Sequence, residues 1–306
     1  MKITSSGILY GLVRLCAFLP LPALYLISDI FLYPIVYYVV RYRLSVVRMN
    51  LKNSFPDKAK AELRGIERKF YRHFCDSFQE TIRILGMSEK EARMRMVFKN
   101  LELITDISKH GQGVLLLLGH YGNWEYQPFI YIYLQAFESK KAFNIYRPLK
   151  SKAFDDLYLK IRSHFGGVNI TKNETYRTVI RLRRDGVAGM FGLISDQSPS
   201  GANLHYWTNF LNQETSILTG PERIAKQTGF AVIYADVEKL SRGYYQTTFK
   251  LISDKPDETA ENEITEKFAR LMEETIVREP AYWLWTHKRW KHKHQQVLQK
   301  KGELVK

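Results

Sequence analysis

Apolar and polar positions along the chain change period several times, and each period predicts an element. Residues 15–28 carry no charge, Asp29 interrupts, and residues 30–40 are apolar again. Neither run alone reaches the roughly 18 residues of an unambiguous spanning helix, and Pro20, Pro22 and Pro34 break the pattern further. Arg41, Arg43 and Arg48 follow at once, which puts that side in the cytoplasm if the segment meets a membrane. The pattern predicts membrane attachment by one spanning helix or an interfacial helix pair; a buried hairpin of core helices is the alternative. Residues 1–50 are read as this segment and residues 51–306 as a separate domain, with the break at Asn50–Pro56.

From residue 59 to 85, Leu63, Ile66, Phe70, Phe74, Phe78, Ile82 and Leu85 recur every three or four positions. That spacing predicts a long amphipathic helix, with Gly86 as its C-cap. A shorter helix is expected over 89–98. Residues 113–118 form a short charge-free run of the length of a strand buried in a parallel sheet. Further strands are predicted over 142–146, 187–194, 230–237 and 244–252. Helices are predicted over 154–165, 176–184, 220–227 and 261–278, the last stopped by Pro280. Strands alternating with helices predict an α/β fold, a mainly parallel central sheet flanked by helices. The polar tail from Lys288 is expected on the surface.

Composition narrows the partners. The chain has 306 residues, 45% of them hydrophobic, and a net charge of +15. That charge favours anionic partners: membrane lipid, an acidic carrier, phosphorylated substrates or nucleic acid. No nucleic-acid module or basic-aromatic block is present. Two distant cysteines, Cys16 and Cys75, give no disulfide framework.

The strand over 113–118 ends at Gly119, and His120 follows; Gly122 and Asn123 then supply turn and N-cap chemistry before Trp124 and Glu125. A strand feeding a helix holds such residues at the carboxyl end of the sheet, where α/β proteins keep their sites. A neutral imidazole there can take the proton of a hydroxyl. Glu125 is expected to bond the other ring nitrogen and fix its tautomer. A metal reading is weaker, because H-E-x-x-H is absent. No G-x-S-x-G elbow supplies a protein nucleophile. Direct transfer from an activated acyl donor to a bound hydroxyl needs none, but it needs a donor for the oxyanion. Arg147, at the end of the next strand, is the candidate for that donor. Asp196 ends another strand and orders Arg147 or the acceptor, or caps a turn; Asn123 and Gln197 join the substrate-binding candidates. His287, His292 and His294 are expected at solvated positions.

Six segments carry a resemblance. Arg48-Met-Asn-Leu-Lys-Asn-Ser-Phe-Pro56 is similar to R-x-N-L-x-x-x-F-P, and Gly119-His-Tyr-Gly-Asn-Trp-Glu125 to G-H-x-G-N-W-E. Tyr146-Arg147-Pro148, Asp196-Gln197, Thr219-Gly-Pro-Glu-Arg-Ile-Ala225 and Trp283–Trp290 follow in order. Together they resemble the bacterial lipid A biosynthesis acyltransferases, within the lysophospholipid acyltransferase superfamily. The resemblance implies His120 as base, Glu125 as its partner, and Arg147 and Asp196 near donor or acceptor. It implies an acyl-carrier-protein or acyl-CoA thioester as donor substrate, with no further cofactor or metal. It also implies a lipid A precursor as acceptor, anionic membrane lipid as surroundings, and a monomer on the cytoplasmic side of the inner membrane. The loop after Gln197 and Trp283, which stands in place of tyrosine, depart from the family pattern, and the loop bears on the acceptor. Another lyso- or hydroxyacyl lipid as acceptor, or a hydrolase or thioesterase using the same pair, are the alternatives.

Overall fold

The computed structural model describes residues 5–134 and 142–301. Helices α1 (Ser5–Ala17) and α2 (Leu21–Ile27) open the chain. The second continues through π-helical turns at Ser28–Leu32 and Ile35–Val39, giving one 19-residue helix over Leu21–Val39 with a mean hydropathy of 1.4. The two apolar runs read separately in the sequence are therefore one helix, long and apolar enough to cross a membrane by length and composition. Wide turns absorb the hydrogen bond that Pro34 cannot donate, so the proline does not end it. Helices α3 (Leu44–Ser54) and α4 (Lys60–Arg83) follow, and α3 runs across position 50.

The polar edge of the Leu21–Val39 helix is tied to α4. Tyr25 donates to Glu80 at 2.9 Å, Ser28 to Asp76 at 2.9 Å and Tyr37 to Glu67 at 2.7 Å. Its opposite edge leaves Leu26, Ile30, Phe31, Ile35 and Val39 exposed. At the end of α4, Gly86 lies in a 3₁₀ turn and is not a left-handed cap. A side chain there would strike the Ala17 carbonyl, so close approach of two helices calls for glycine.

Beyond α5 (Glu89–Arg95) the predicted helix gives way early to β1 (Met96–Lys99). Then come α6 (Glu102–Lys109), β2 (Val114–Leu118), a 3₁₀ turn at Trp124–Phe129 leading into α7 (Ile130–Leu134), and β3 (Ala142–Tyr146). α8 (Lys152–Arg162), β4 (Val168–Thr171), α9 (Thr175–Arg184) and β5 (Met190–Ile194) complete the first half of the sheet. β4 is an edge strand that the sequence pattern did not reveal. A small hairpin, β6 (Tyr206–Phe210) with β7 (Gln213–Ile217), precedes α10 (Gly220–Thr228), β8 (Ala231–Ser241), β9 (Tyr244–Ser253), α11 (Glu263–Arg278) and α12 (His294–Lys301). This hairpin too was missed, because its residues Tyr206-Trp-Thr-Asn-Phe210 and Gln213-Glu-Thr-Ser-Ile217 carry no sustained apolar run.

Seven strands form one sheet in the order β1-β9-β8-β2-β5-β3-β4. All pairs are parallel except the β8–β9 hairpin. The expected mainly parallel α/β architecture is the observed one. β2 lies near the middle, and its five residues are all buried. Leu115 and Leu117 face a core shared with α9, α10 and α11, while Val114, Leu116 and Leu118 face α6, α7 and α8. Alternation on a pleated strand explains the division.

The chain after α11 is not the solvated tail that its composition suggested. Arg289 is 1% exposed and donates to Thr215 Oγ1 at 2.7 Å and the Ser216 carbonyl at 2.9 Å; Trp290 is buried beside Trp283. The β6–β7 hairpin supplies the cover that local polarity could not foretell.

Candidate active site

Parallel register brings the site together. In the β2–β5 ladder Leu118 pairs with Ile194, so His120 and Asp196 each stand two residues beyond paired strand ends. Ser195 N–H donates to the Leu118 carbonyl at 2.9 Å and carries the register past the last strand residue. Gly119 lets the chain turn under α11, since a side chain there would strike Met272. Gly122, at a φ of 60°, takes the left-handed conformation that completes the turn.

The outcome differs from the expected His120–Glu125 pair. His120 Nδ1 donates to Asp196 Oδ1 at 2.7 Å. Asp196 Oδ2 accepts from the His120 backbone N–H at 3.0 Å and from Trp283 Nε1–H at 2.7 Å. Trp283 arrives because the segment after Pro280 pairs with the His120 turn. Gly122 N–H donates to the Tyr282 carbonyl at 2.9 Å, and Leu284 N–H to the His120 carbonyl at 3.1 Å. Burial alone would raise the Asp196 carboxyl. The attraction of His120 and the hydrogen bonds from His120 and Trp283 outweigh it and hold the group at about 2.

Glu125 is buried in the same site, but both its oxygens are taken by Arg162 of α8, whose Nε and Nη2 donate at 2.8 Å and 2.6 Å. The 3₁₀ turn at Trp124–Phe129 puts Glu125 on the α8 side, away from the ring nitrogen it was expected to meet. Burial would lower the Arg162 guanidinium; paired Glu125 more than offsets this and raises it. Asn123 behaves as the expected N-cap. Its Oδ1 accepts from Glu125 N–H at 3.1 Å, and its Nδ2 donates to buried Glu80 at 2.9 Å, so both ends of the amide are engaged. Glu80 also accepts from Tyr245 at 2.8 Å.

With Nδ1–H committed to a carboxylate, the lone pair of His120 lies on Nε2. Gln197 Nε2 lies 3.3 Å from it. Two cavities meet here, sharing Trp124, Glu125 and Gln197. The larger, about 580 Å³, holds His120 and Arg162 at one end, runs along the sheet face over β2, β5 and β3, and has exposed Arg147 at its rim. The smaller, about 310 Å³, opens past Phe74, Phe78 and Tyr42 toward the N-terminal helices.

A family model described as bacterial lipid A biosynthesis acyltransferase matches residues 3–292. The chain belongs to that family. No curated protein matches it significantly. Family membership makes the chain an acyltransferase of lipid A biosynthesis, and the H-x4-E segment opens its central strand end.

Several residues of this acyltransferase site were not singled out by sequence. Arg162 lies in an ordinary charged helix and has no motif. Trp283 was seen only as a departure from the family's tyrosine, yet its indole N–H holds Asp196. His287 is not at the expected solvated position: its Nε2 accepts from Ser198 N–H at 3.2 Å, and burial lowers the imidazole to about 4. His294 also has partners, bonding Glu214 at 2.9 Å and stacking on Trp207.

Proposed function

We propose that the protein is a membrane-associated O-acyltransferase that moves a fatty acyl chain from a carrier-protein or CoA thioester onto a hydroxyl of a lipid A precursor. The observation that carries the reading is the His120–Asp196 pair, which commits Nδ1–H and leaves the Nε2 lone pair on a residue that lines the larger cavity. Nε2 takes the acceptor's proton as its oxygen attacks the thioester carbonyl. Asp196 stabilises the imidazolium that forms, the role that sequence spacing had assigned to Glu125. Arg162, held by Glu125, and Gln197 line the cavity and supply N–H donors for the developing oxyanion; Arg147 binds at the rim. The tetrahedral intermediate then expels the thiolate, which takes the proton back from His120. No acyl-enzyme is formed.

The larger cavity receives the donor chain. The smaller one, lined by Tyr42 and Arg43 just beyond the Leu21–Val39 helix, receives the acceptor from the inner-membrane surface on its cytoplasmic side. Residues 1–50 anchor the enzyme there, with anionic lipid meeting its positive charge, and residues 51–306 carry the chemistry as a monomer.

Purified protein incubated with a labelled acyl thioester and lipid A precursor is expected to yield a lipid heavier by one acyl group. His120→Ala should lower the rate by at least about 10²-fold. Without acceptor, the protein should carry no covalent label. Fatty acid release as the main reaction, or full activity in His120→Ala, would overturn the reading.

A further inference from the structure

β5 lies between β2 and β3, and a strand with neighbours on both sides of a parallel sheet is normally buried on both faces. On β5 one face obeys this: Phe191 and Leu193 are buried. The other does not, for Gly192 and Ile194 are half-exposed, and both line the larger cavity together with Met190. Alternation puts these three residues on one face. Register then divides the cavity floor into rows. Leu118 and Ile194 form the row nearest His120, Leu116, Gly192 and Asn144 the middle row, and Met190, in register with Val114 and Ala142, the last. From Ile194 to Met190 the floor runs about 13 Å along the strand.

Gly192 is the one middle-row position without a side chain, and neither backbone nor packing demands this. Its φ is not among the positive ones. A Cβ there would find its nearest neighbour, the Phe143 carbonyl oxygen, at 3.8 Å, an ordinary contact. Gly113 and Gly167, by contrast, have side chains pressed into the space a Cβ would need. Glycine inside a strand costs stability and often marks close approach of a ligand. The polar groups around it are already spent on each other. Asn144 accepts from Tyr131 at 2.7 Å, and Gln127 donates to Thr247 at 2.9 Å. What remains for a ligand is aliphatic surface, suited to a hydrocarbon chain.

Building on the acyltransferase reading, we infer that Gly192 sets the acyl chain length the enzyme accepts: the donor chain descends from His120 across Gly192 and ends against Met190. Gly192→Val fills the middle row with three carbons, and in a close-packed site these exclude about three carbons of the chain. The experiment compares kcat/KM for thioester donors from decanoyl to palmitoyl. In Gly192→Val the preferred chain should shorten by about two to four carbons, with kcat/KM for the longest donors falling at least about tenfold relative to the shortest. Gly192→Ala should shift the profile the same way by less, and Met190→Ala, which deepens the floor, should shift it toward longer chains. The same series is read as binding in His120→Ala protein, by displacement of a fluorescent fatty acid, so that chain selection is measured without turnover. If wild-type protein transfers no acyl group, the functional reading fails, and the binding series still judges the cavity. An unchanged length profile, or an equal loss at every length in folded variants, would overturn the inference. Should Gly192→Val fail to fold, Gly192→Ala and Met190→Ala decide the matter by their opposite shifts.

Discussion

Asp196→Asn is the sharpest perturbation of this site, because the carboxylate accepts at both oxygens and donates at neither. Oδ2 faces two N–H donors, from Trp283 and the His120 backbone, and Oδ1 faces the third, on His120 Nδ1. An amide offers one acceptor oxygen and one NH₂ group. The arrangement that keeps most hydrogen bonds turns the oxygen toward Trp283 and the NH₂ toward Nδ1. That NH₂ forces the opposite tautomer, with the proton on Nε2, and the base is lost although the shape is kept. General-base catalysis is worth about 10²–10⁴-fold, and the wrong tautomer forfeits most of it, so a loss of about 10³-fold is expected. Stability should fall too. Lowering Asp196 from 3.8 to about 2 corresponds to about 2 kcal/mol. The carboxyl is depressed in the folded state, so this contribution is present above pH 4 and lost as pH falls toward about 2. Initial rates with saturating acyl thioester and lipid acceptor, read by mass spectrometry, measure the first effect, and urea midpoints at neutral pH the second. A variant within about tenfold of wild type would refute the tautomer argument.

Glu125→Gln removes the charge facing Arg162 while keeping one acceptor; it should destabilise the fold by about 3 kcal/mol and slow acyl transfer, with the urea midpoint and the rate measured together. Burial holds His73 well below its usual 6.5, helped by the charge of nearby Lys239, and holds His287 at about 4. The unfolded chain therefore binds more protons as pH falls, and the urea midpoint should drop from about pH 6.5 toward pH 4; replacing His287 with Gln should flatten that drop, and a midpoint independent of pH would contradict it. Phe31→Glu with Val39→Glu, two exposed positions of the Leu21–Val39 helix, should shift the protein out of the membrane fraction in flotation assays without changing its circular dichroism. Retention of the doubly substituted protein with the bilayer would count against that face as the attachment surface.

Elements whose signal is local were legible in the chain. The period of residues 60–83 reflects a helix and the run Val114–Leu118 a strand buried on both faces, each written within a few residues of itself. Of the helix's apolar stripe, however, Phe70 is buried and Phe78 exposed, while Glu67, Asp76 and Glu80 are buried. Family motifs likewise pointed to His120, Glu125, Arg147 and Asp196. The pairing among them was not legible. Asp196 lies 76 positions from His120 and reaches it only because β5 pairs beside β2 in a register that aligns Leu118 with Ile194. Glu125, five positions from His120, is close in sequence, but the intervening turn carries it toward Arg162, 37 positions on. Short spacing limits where two side chains can be; hydrogen-bond partners are chosen by whatever the neighbouring elements bring. The same holds for the tail, where Arg289 is buried because the β6–β7 hairpin receives its guanidinium. Periodicity reports how each element meets solvent, whereas register, crossing connections and buried polar pairing depend on the other elements present, and these only the folded chain supplies.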